Sequence, residues 1–168
     1  KRGGKLHPTT APQKENSLRK RSIEAEILPT LLQLTIGFVR YRPLDRGFLT
    51  GTITKPSDLG PNDSRTLRMP RFAPGSLDKN LVLVDRVRAI ADRRGVKPGQ
   101  LALAWMLSKG KDIVPIPGTK HRKYLEENAA AAEIHLTPAE VAELEAAVPA
   151  SEIAGDRYAA PALKAIDR

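Results

Sequence analysis

Two hydrophobic periods run along this chain. Between Asp78 and Arg94, the residues Leu81, Val84, Val87 and Ile90 recur three apart with charges between them. That stripe predicts an amphipathic helix. Ile36 to Tyr41 and Ile113 to Ile116 are short apolar runs bounded by turn-forming residues, which predicts buried strands. Leu6 to Gln13 has strand character, although Pro8 and Pro12 lack the N–H that a central strand needs. Ser22-Ile-Glu-Ala-Glu26 predicts a helix start with Ser22 as cap and Leu28, Leu31 and Leu32 as its stripe. Pro29 is awkward there if it falls beyond the first turn. Lys97-Pro-Gly99 punctuates the chain before a short apolar helix, Gln100 to Leu107. A further helix is predicted over Tyr124 to Ala132. Thr137-Pro-Ala-Glu140 is a capping box with proline at the first helical position. Its helix carries Val141, Leu144 and Val148. Ala150 to Arg168 is an alanine-rich tail with room for one more short helix.

Residues 51–77 are rich in Pro, Gly, Ser and Asp and show neither period. They predict one long loop of the kind that serves as a lid. Strands alternating with helices predict an α/β fold with a parallel sheet. The division expected is a main unit over 1–150 and a tail over 151–168.

Composition narrows the class. A chain of 168 residues is long enough for one domain with a real core. There is no cysteine, which excludes disulfides and thiol chemistry. The three histidines, His7, His121 and His135, have no metal-ligand spacing. Net charge is +9, of which the first 22 residues carry +6. No nucleic-acid motif accompanies that basic arm, so it reads as solvated charge, with neither nucleic acid nor membrane as partner. No apolar run is long enough to span a bilayer, and no secretory segment is visible, so a cytoplasmic protein is the expectation. The chain begins with Lys1, and its only methionines are Met69 and Met106. That start predicts a fragment, a processed chain or an incomplete gene model.

The most informative stretch is Asp112 to Asn128. A strand, Ile113–Ile116, runs into Pro117-Gly-Thr-Lys120 and then into a helix. A helix start offers free N–H groups and partial positive charge to a phosphate. Gly118 allows close backbone approach, Thr119 adds a hydroxyl and Lys120 a full charge. Glu127 and Asn128, two turns on, can hydrogen-bond a polar ring. The alternative for the same residues is an ordinary strand–loop–helix joint with a solvated lysine.

Pro115-Ile-Pro-Gly-Thr-Lys120 with Leu125-Glu-Glu-Asn128 resembles the C-terminal nucleotide signature of the aldo-keto reductases. Gly37-Phe-Val-Arg-Tyr-Arg-Pro-Leu-Asp-Arg-Gly-Phe-Leu-Thr-Gly51 resembles that family's GFVPYSPLGRGFLTG block. Gly99-Gln-Leu-Ala-Leu-Ala-Trp105 is similar to a common family helix. The three matches keep the family's order and spacing. The resemblance implies the C-terminal half of a TIM-type (β/α)8 barrel, with about three parallel strands, their helices and a long lid loop. It implies NADP(H) as cofactor, with a positive group near the 2′-phosphate favouring NADP over NAD, and a small carbonyl compound as substrate of the whole enzyme. Carried over residue by residue, Tyr41 stacks on the nicotinamide and Gln13 holds its carboxamide. Pro43, Leu44, Arg46 and Leu49 follow the pyrophosphate. Gly118, Thr119 and Lys120 take the ribose and 2′-phosphate, and Glu127 and Asn128 the adenine. Those strand-end residues, Gln13, Tyr41 and Gly118, are expected to face one ligand. His121, where the family often has arginine, reads as a solvated loop residue or a weak aid to the 2′-phosphate.

Two sets of residues depart from the pattern. The family's HPITALQSEYSLW reads here His7-Pro-Thr-Thr-Ala-Pro-Gln-Lys-Glu-Asn-Ser-Leu-Arg19, with Asn16 and Arg19 replacing an aromatic pair. Arg42 and Asp45 replace a small hydroxyl and a glycine. A carboxylate at 45 is expected to repel the pyrophosphate and strain the turn. The family's catalytic tyrosine, lysine, aspartate and histidine lie in the half not covered, so no catalytic and no metal-binding residue is assigned. The expected function is a fragment of an NADP(H)-dependent oxidoreductase that reduces aldehydes or ketones, keeping cofactor-binding residues and not catalytic ones. The alternatives are a non-catalytic nucleotide-binding or regulatory module of the same family, and a decayed gene product without function. An open half-barrel also predicts self-association.

Overall fold

In a computed structural model that describes residues 8–166, three parallel strands form one sheet in the order β1-β2-β3. They are β1 (Gln13–Glu15), β2 (Phe38–Tyr41) and β3 (Ile113–Ile116). Gln13 pairs with Val39 and Glu15 with Tyr41, and Tyr41 pairs in turn with Ile116. The sheet is parallel because helices, not hairpins, return the chain. These are α1 (Ile27–Gln33), α2 (Ser64–Arg68), α3 (Ser76–Arg93), α4 (Pro98–Leu107), α5 (Arg122–Ala130), α6 (Pro138–Ala147) and α7 (Ala160–Ile166).

Side chains alternate across a strand, so the sheet has two faces. Phe38, Arg40 and Ile113 point to the helices and are buried. Val39, Tyr41, Val114 and Ile116 point the other way. On that open face Val114 is 54% and Ile116 44% exposed.

The core lies on the helical side. Leu81, Val84, Val87 and Ile90 of α3 are buried, as the periodicity predicts, against α4 and α6. Each such side chain contributes roughly 1.5–3 kcal/mol relative to exposure. Helix α4 is apolar all round and buried almost throughout, which is why it sits between β3, α3 and α5. The capping box of α6 forms: Thr137 Oγ1 accepts from Glu140 N at 3.3 Å, and Glu140 Oε2 accepts from Thr137 N at 2.8 Å.

Three elements differ from expectation. The expected strand over Leu6–Gln13 begins outside the described residues, and the observed β1 starts only at Gln13. Pro12 thereby stays outside the ladder as a donor, while its carbonyl accepts from Val39 N at 3.0 Å. The helix expected from Ser22 starts at Ile27. Starting there puts Pro29 in the first turn, where its missing N–H and ring cost least. Residues 51–77 contain α2, capped by Asp63 Oδ1 accepting from Arg65 N at 2.8 Å, and one-turn 3-10 helices at Pro56–Asp58 and Pro70–Phe72. Ile53, Leu59 and Phe72 pin this segment to the main core.

Candidate functional site

A cleft of about 840 Å³ opens beside the C-terminal ends of the strands. One wall is the loop after β2, with Pro43, Leu44 and Arg46. The opposite wall is Ile116 to Thr119 and, from α5, Glu127 and Asn128. The N-terminus of α4 closes the base, where Gly99 approaches closely: a Cβ there would lie 3.6 Å from Leu44 and 3.7 Å from Thr50. Gln100 Nε2 donates to the carbonyl of Glu127 at 3.1 Å and so ties α4 to α5.

The loop after β2 has an unusual backbone. Arg42, Asp45 and Arg46 have φ of 54°, 47° and 59°, followed by Gly47 at 85°. Left-handed geometry costs a non-glycine residue about 1–2 kcal/mol. The turn is held despite that cost. Arg65 Nη1 donates to the carbonyl of Arg46 at 2.9 Å, and Thr50 Oγ1 donates to that of Gly47 at 2.6 Å.

Cations dominate the cleft: Arg42, Arg46, Arg88, Lys97 and Lys123 line it against Asp92 and Glu127. Arg46 has a side chain only 10% exposed, and its Nε and Nη2 have no hydrogen-bond partner. Its Nη1 lies 3.5 Å from Glu15 Oε1 and 3.4 Å from Asp45 Oδ1. Unpaired buried guanidinium nitrogens are costly, and Arg46 brings its charge to the cleft wall. Gly118 has nothing within 4 Å of where a Cβ would stand, so the far wall is open to a ligand.

Seven of the residues assigned from the sequence line this cleft: Pro43, Leu44, Arg46, Gly118, Thr119, Glu127 and Asn128. Gln13 does not reach it. It is exposed at the start of β1, opposite Val39, and Glu15 holds the strand-end position beside Tyr41. Three short residues of strand leave Gln13 two positions back from the edge. Leu49 is 1% exposed in the core, so its side chain packs and does not face the cleft. Lys120 is exposed just outside the lining, and Lys123, the second residue of α5, takes the wall instead. His121 precedes α5, its N–H donating to Thr119 Oγ1 at 3.1 Å and its ring edge-on to Tyr124 at 5.6 Å.

Tyr41 is half-buried, and its hydroxyl accepts from Arg157 Nη2 at 3.2 Å. Burial, with Tyr158 and Glu15 beside it, pushes this phenol above its ordinary pKa. Asp45 is 1% exposed and absent from the cleft wall. Its carboxylate turns inward to an ion pair with Arg19, so the expected repulsion of a pyrophosphate is not built into the cleft. Arg88, Lys97 and Gln100 also line the cleft, without being among the residues the sequence points to. Nothing in the stripe of α3 marks Arg88, whose Nη2 donates to the carbonyl of Gly51 at 3.1 Å. Gln100 carried a readable signal, since its side chain caps α4 by accepting from Lys97 N at 3.0 Å.

Parallel strands with helices on one face, and a cationic cleft at the strands' C-terminal ends, define part of an α/β barrel. The sequence profile of the Aldo/keto reductase family matches residues 5–149, and the chain belongs to that family. It is 42% identical over 158 residues to the probable aldo-keto reductase 1 of Glycine max, covering 94% of this chain and 45% of that protein. Among solved structures, the glycerol dehydrogenase AKR11B4 from Gluconobacter oxydans superposes with a TM-score of 0.78 at 24% identity. That match covers 86% of this chain and 43% of the other. A thermostable aldo-keto reductase, Tm1743, solved with the inhibitor epalrestat, gives 0.56 at 23% identity, covering 82% of this chain and 39% of the other. The chain therefore spans less than half the length of the relatives it matches. Among the described residues no helix is long and apolar enough to cross a membrane, and no cluster of metal-ligating side chains occurs.

Proposed function

We propose that this chain forms the NADP(H)-binding part of an oxidoreductase that reduces aldehydes or ketones to alcohols. The observation that carries the reading is the cluster of cations on the cleft wall, Arg42, Arg46, Arg88 and Lys123, beside the C-terminal ends of the strands. A diphosphate complements that excess of positive charge. Arg46 and the Pro43–Leu44 turn would hold the pyrophosphate, Gly118 and Thr119 the adenosine ribose, and Glu127 and Asn128 the adenine. Lys120 from the loop before α5, or Lys123 from its first turn, would meet the 2′-phosphate. When bound, the reduced cofactor supplies a hydride.

Proton supply is a different matter. The hydroxyls of Tyr41 and Tyr158 are engaged with Arg157, Arg42 and Glu15, and Tyr41 is a weaker acid than an ordinary phenol. Tyr124 is 44% exposed on α5, where its ring meets His121. None is placed to protonate an alkoxide, so this chain's residues bind and orient but do not act as the general acid.

The test is calorimetric titration of NADPH and NADH into the wild type and into Lys120→Ala and Lys123→Ala. Loss of one charge-assisted contact should weaken NADPH about tenfold to a hundredfold in one of the two variants, with NADH little changed. Equal losses for both nucleotides would sink the 2′-phosphate assignment. The chain should also show no aldehyde-dependent NADPH oxidation. The same titration separates both nucleotide-binding readings from a decayed product: binding without turnover fits the fragment and the regulatory module alike, and no binding at all leaves neither.

A further inference from the structure

The segment after α6 is fastened in two different ways. The first is a buried polar clamp. Asn80 of α3 is 0% exposed, and its Nδ2 donates to the carbonyls of Arg71 at 3.0 Å and Ala154 at 2.9 Å. Its Oδ1 accepts from Ala154 N at 3.0 Å. Gly155 comes next, at φ 79°, pressed so close to the 70–71 backbone that a Cβ would stand 2.6 Å from Pro70 O. The chain is thus fixed at Ala154 and turns sharply at Gly155.

The second fastening is ionic. Arg157 Nε lies 2.6 Å from Glu15 Oε2, an ion pair whose N–H is not aligned for a hydrogen bond. Arg157 Nη2 donates to the Tyr41 hydroxyl, and the Tyr158 hydroxyl donates to Glu15 Oε2 at 3.3 Å while accepting from Arg42. Arg42 and Arg46 approach the same carboxylate at 3.9 and 3.5 Å. One carboxylate therefore faces three guanidinium groups. The excess positive charge opposes its own closure, because Arg157 is drawn to Glu15 and repelled by Arg42 and Arg46.

From this we infer that Gly155–Tyr158 is a strap over Glu15 and Tyr41 that tightens when a diphosphate group occupies the neighbouring cleft. Arg42 and Arg46 belong to both places, since they line the cleft and face Glu15. An anion among them cancels the repulsion and leaves Glu15 to Arg157. Asn80 keeps the hinge fixed, so only the far end moves. The inference takes its ligand class from the cofactor reading above, and needs only the diphosphate part of it.

Trypsin reports the state of the strap, because Arg157 cannot enter the protease while paired with Glu15. The full chain is digested briefly, and the product cut between Arg157 and Tyr158 is followed by mass spectrometry. Cleavage there should slow about fivefold in saturating inorganic pyrophosphate or NADPH, since cutting tracks the open population. In Glu15→Gln it should be faster without ligand and insensitive to either anion. Tyr158→Phe keeps the ring and removes the hydroxyl between Arg42 and Glu15, and should lose most of the protection. Circular dichroism of both variants separates a loosened strap from a loosened fold. Cleavage unchanged or faster in pyrophosphate overturns the strap. Protection by pyrophosphate with no NADPH binding by calorimetry keeps the strap and overturns the cofactor reading.

Discussion

The guanidinium of Arg19 and the carboxylate of Asp45 form an ion pair closed to solvent, with side-chain exposures of 0% and 2%. Arg19 also lies over the ring of Phe48, its Cζ 4.1 Å from the centroid. Both residues stand where the family pattern has others, an aromatic at 19 and a glycine at 45. The two departures answer each other: the new cation neutralises the new anion, and the guanidinium plane fills space against an aromatic ring. Random decay would not be expected to pair them.

Restoring the glycine alone should therefore harm the protein. Asp45→Gly relieves a left-handed φ of 47°, worth about 1–2 kcal/mol. It also strands a buried Arg19, at a cost of about 3–5 kcal/mol. The net expectation is a loss of roughly 1–4 kcal/mol in urea unfolding. The double variant Arg19→Met with Asp45→Gly should recover most of that loss. A single variant as stable as the wild type would show that the pair carries no weight.

Arg40 presents the opposite case. It is 0% exposed between Phe38 and Trp105, and none of its guanidinium nitrogens has a partner. Burial pulls its pKa down to about 10, with Glu24 only partly opposing. Arg40→Met should stabilise the chain by about 1–4 kcal/mol near neutrality. The sign follows from linkage. Between pH 10 and the ordinary 12.5 the unfolded state holds more protons than the folded one, so wild-type stability rises relative to the variant. The gap between the two denaturation midpoints should then narrow above about pH 10. A variant less stable than wild type would mean the guanidinium finds partners in solution.

How much of this was legible in the sequence depends on how local each signal was. β3 was read to the residue because Pro117-Gly118 ends it, and α3 to within two residues because its stripe has one period. The cap at Thr137 was fully local. The start of α1 at Ile27 differs from the expected Ser22 because Ser22 is a good cap in isolation, and only Pro29 argues against it. That Gly118 and Thr119 lie at the cleft wall follows from one strand–turn–helix joint. Arg88, Lys97 and the inward turn of Asp45 depend on contacts between segments far apart in the chain, and periodicity carries no such information. The place of Gln13 outside the cleft lining has a related cause, since register is decided by which partner residue it meets.

Glu140 sets an acid limit on α6. The N–H and hydroxyl of Thr137, with Arg94, hold its carboxyl down to about 2, against an ordinary value of 4.5. The folded state thus binds fewer protons than the unfolded state between those values. Its contribution is complete above about pH 4.5 and is lost as pH falls through about 2. Wild type should lose more stability across that window than Glu140→Gln, measured as urea midpoints at stepped pH. Parallel acid curves for the two proteins would remove the capping box from the account.

The open face of the sheet makes the last prediction. Val114 and Ile116 project from β3 away from the helices, and Leu125 on α5 is 59% exposed. β1 and β3 are the two edges of the sheet, with unpaired backbone groups. Pro115 removes one donor from the β3 edge, but its neighbours keep theirs. An apolar face flanked by free edges favours association, so this chain should form dimers or larger species at micromolar concentration and should bind an apolar dye. Val114→Thr with Ile116→Thr keeps β-branched side chains that suit a strand and removes apolar surface. Both sites are already exposed, so folding stability should change by less than about 1 kcal/mol. Sedimentation velocity should show the double variant shifted towards monomer, with weaker dye fluorescence. If wild type sediments as a monomer with no dye signal, the open face is covered by something within the chain itself. Helix α7 and the strap beside it are then the first segments to delete.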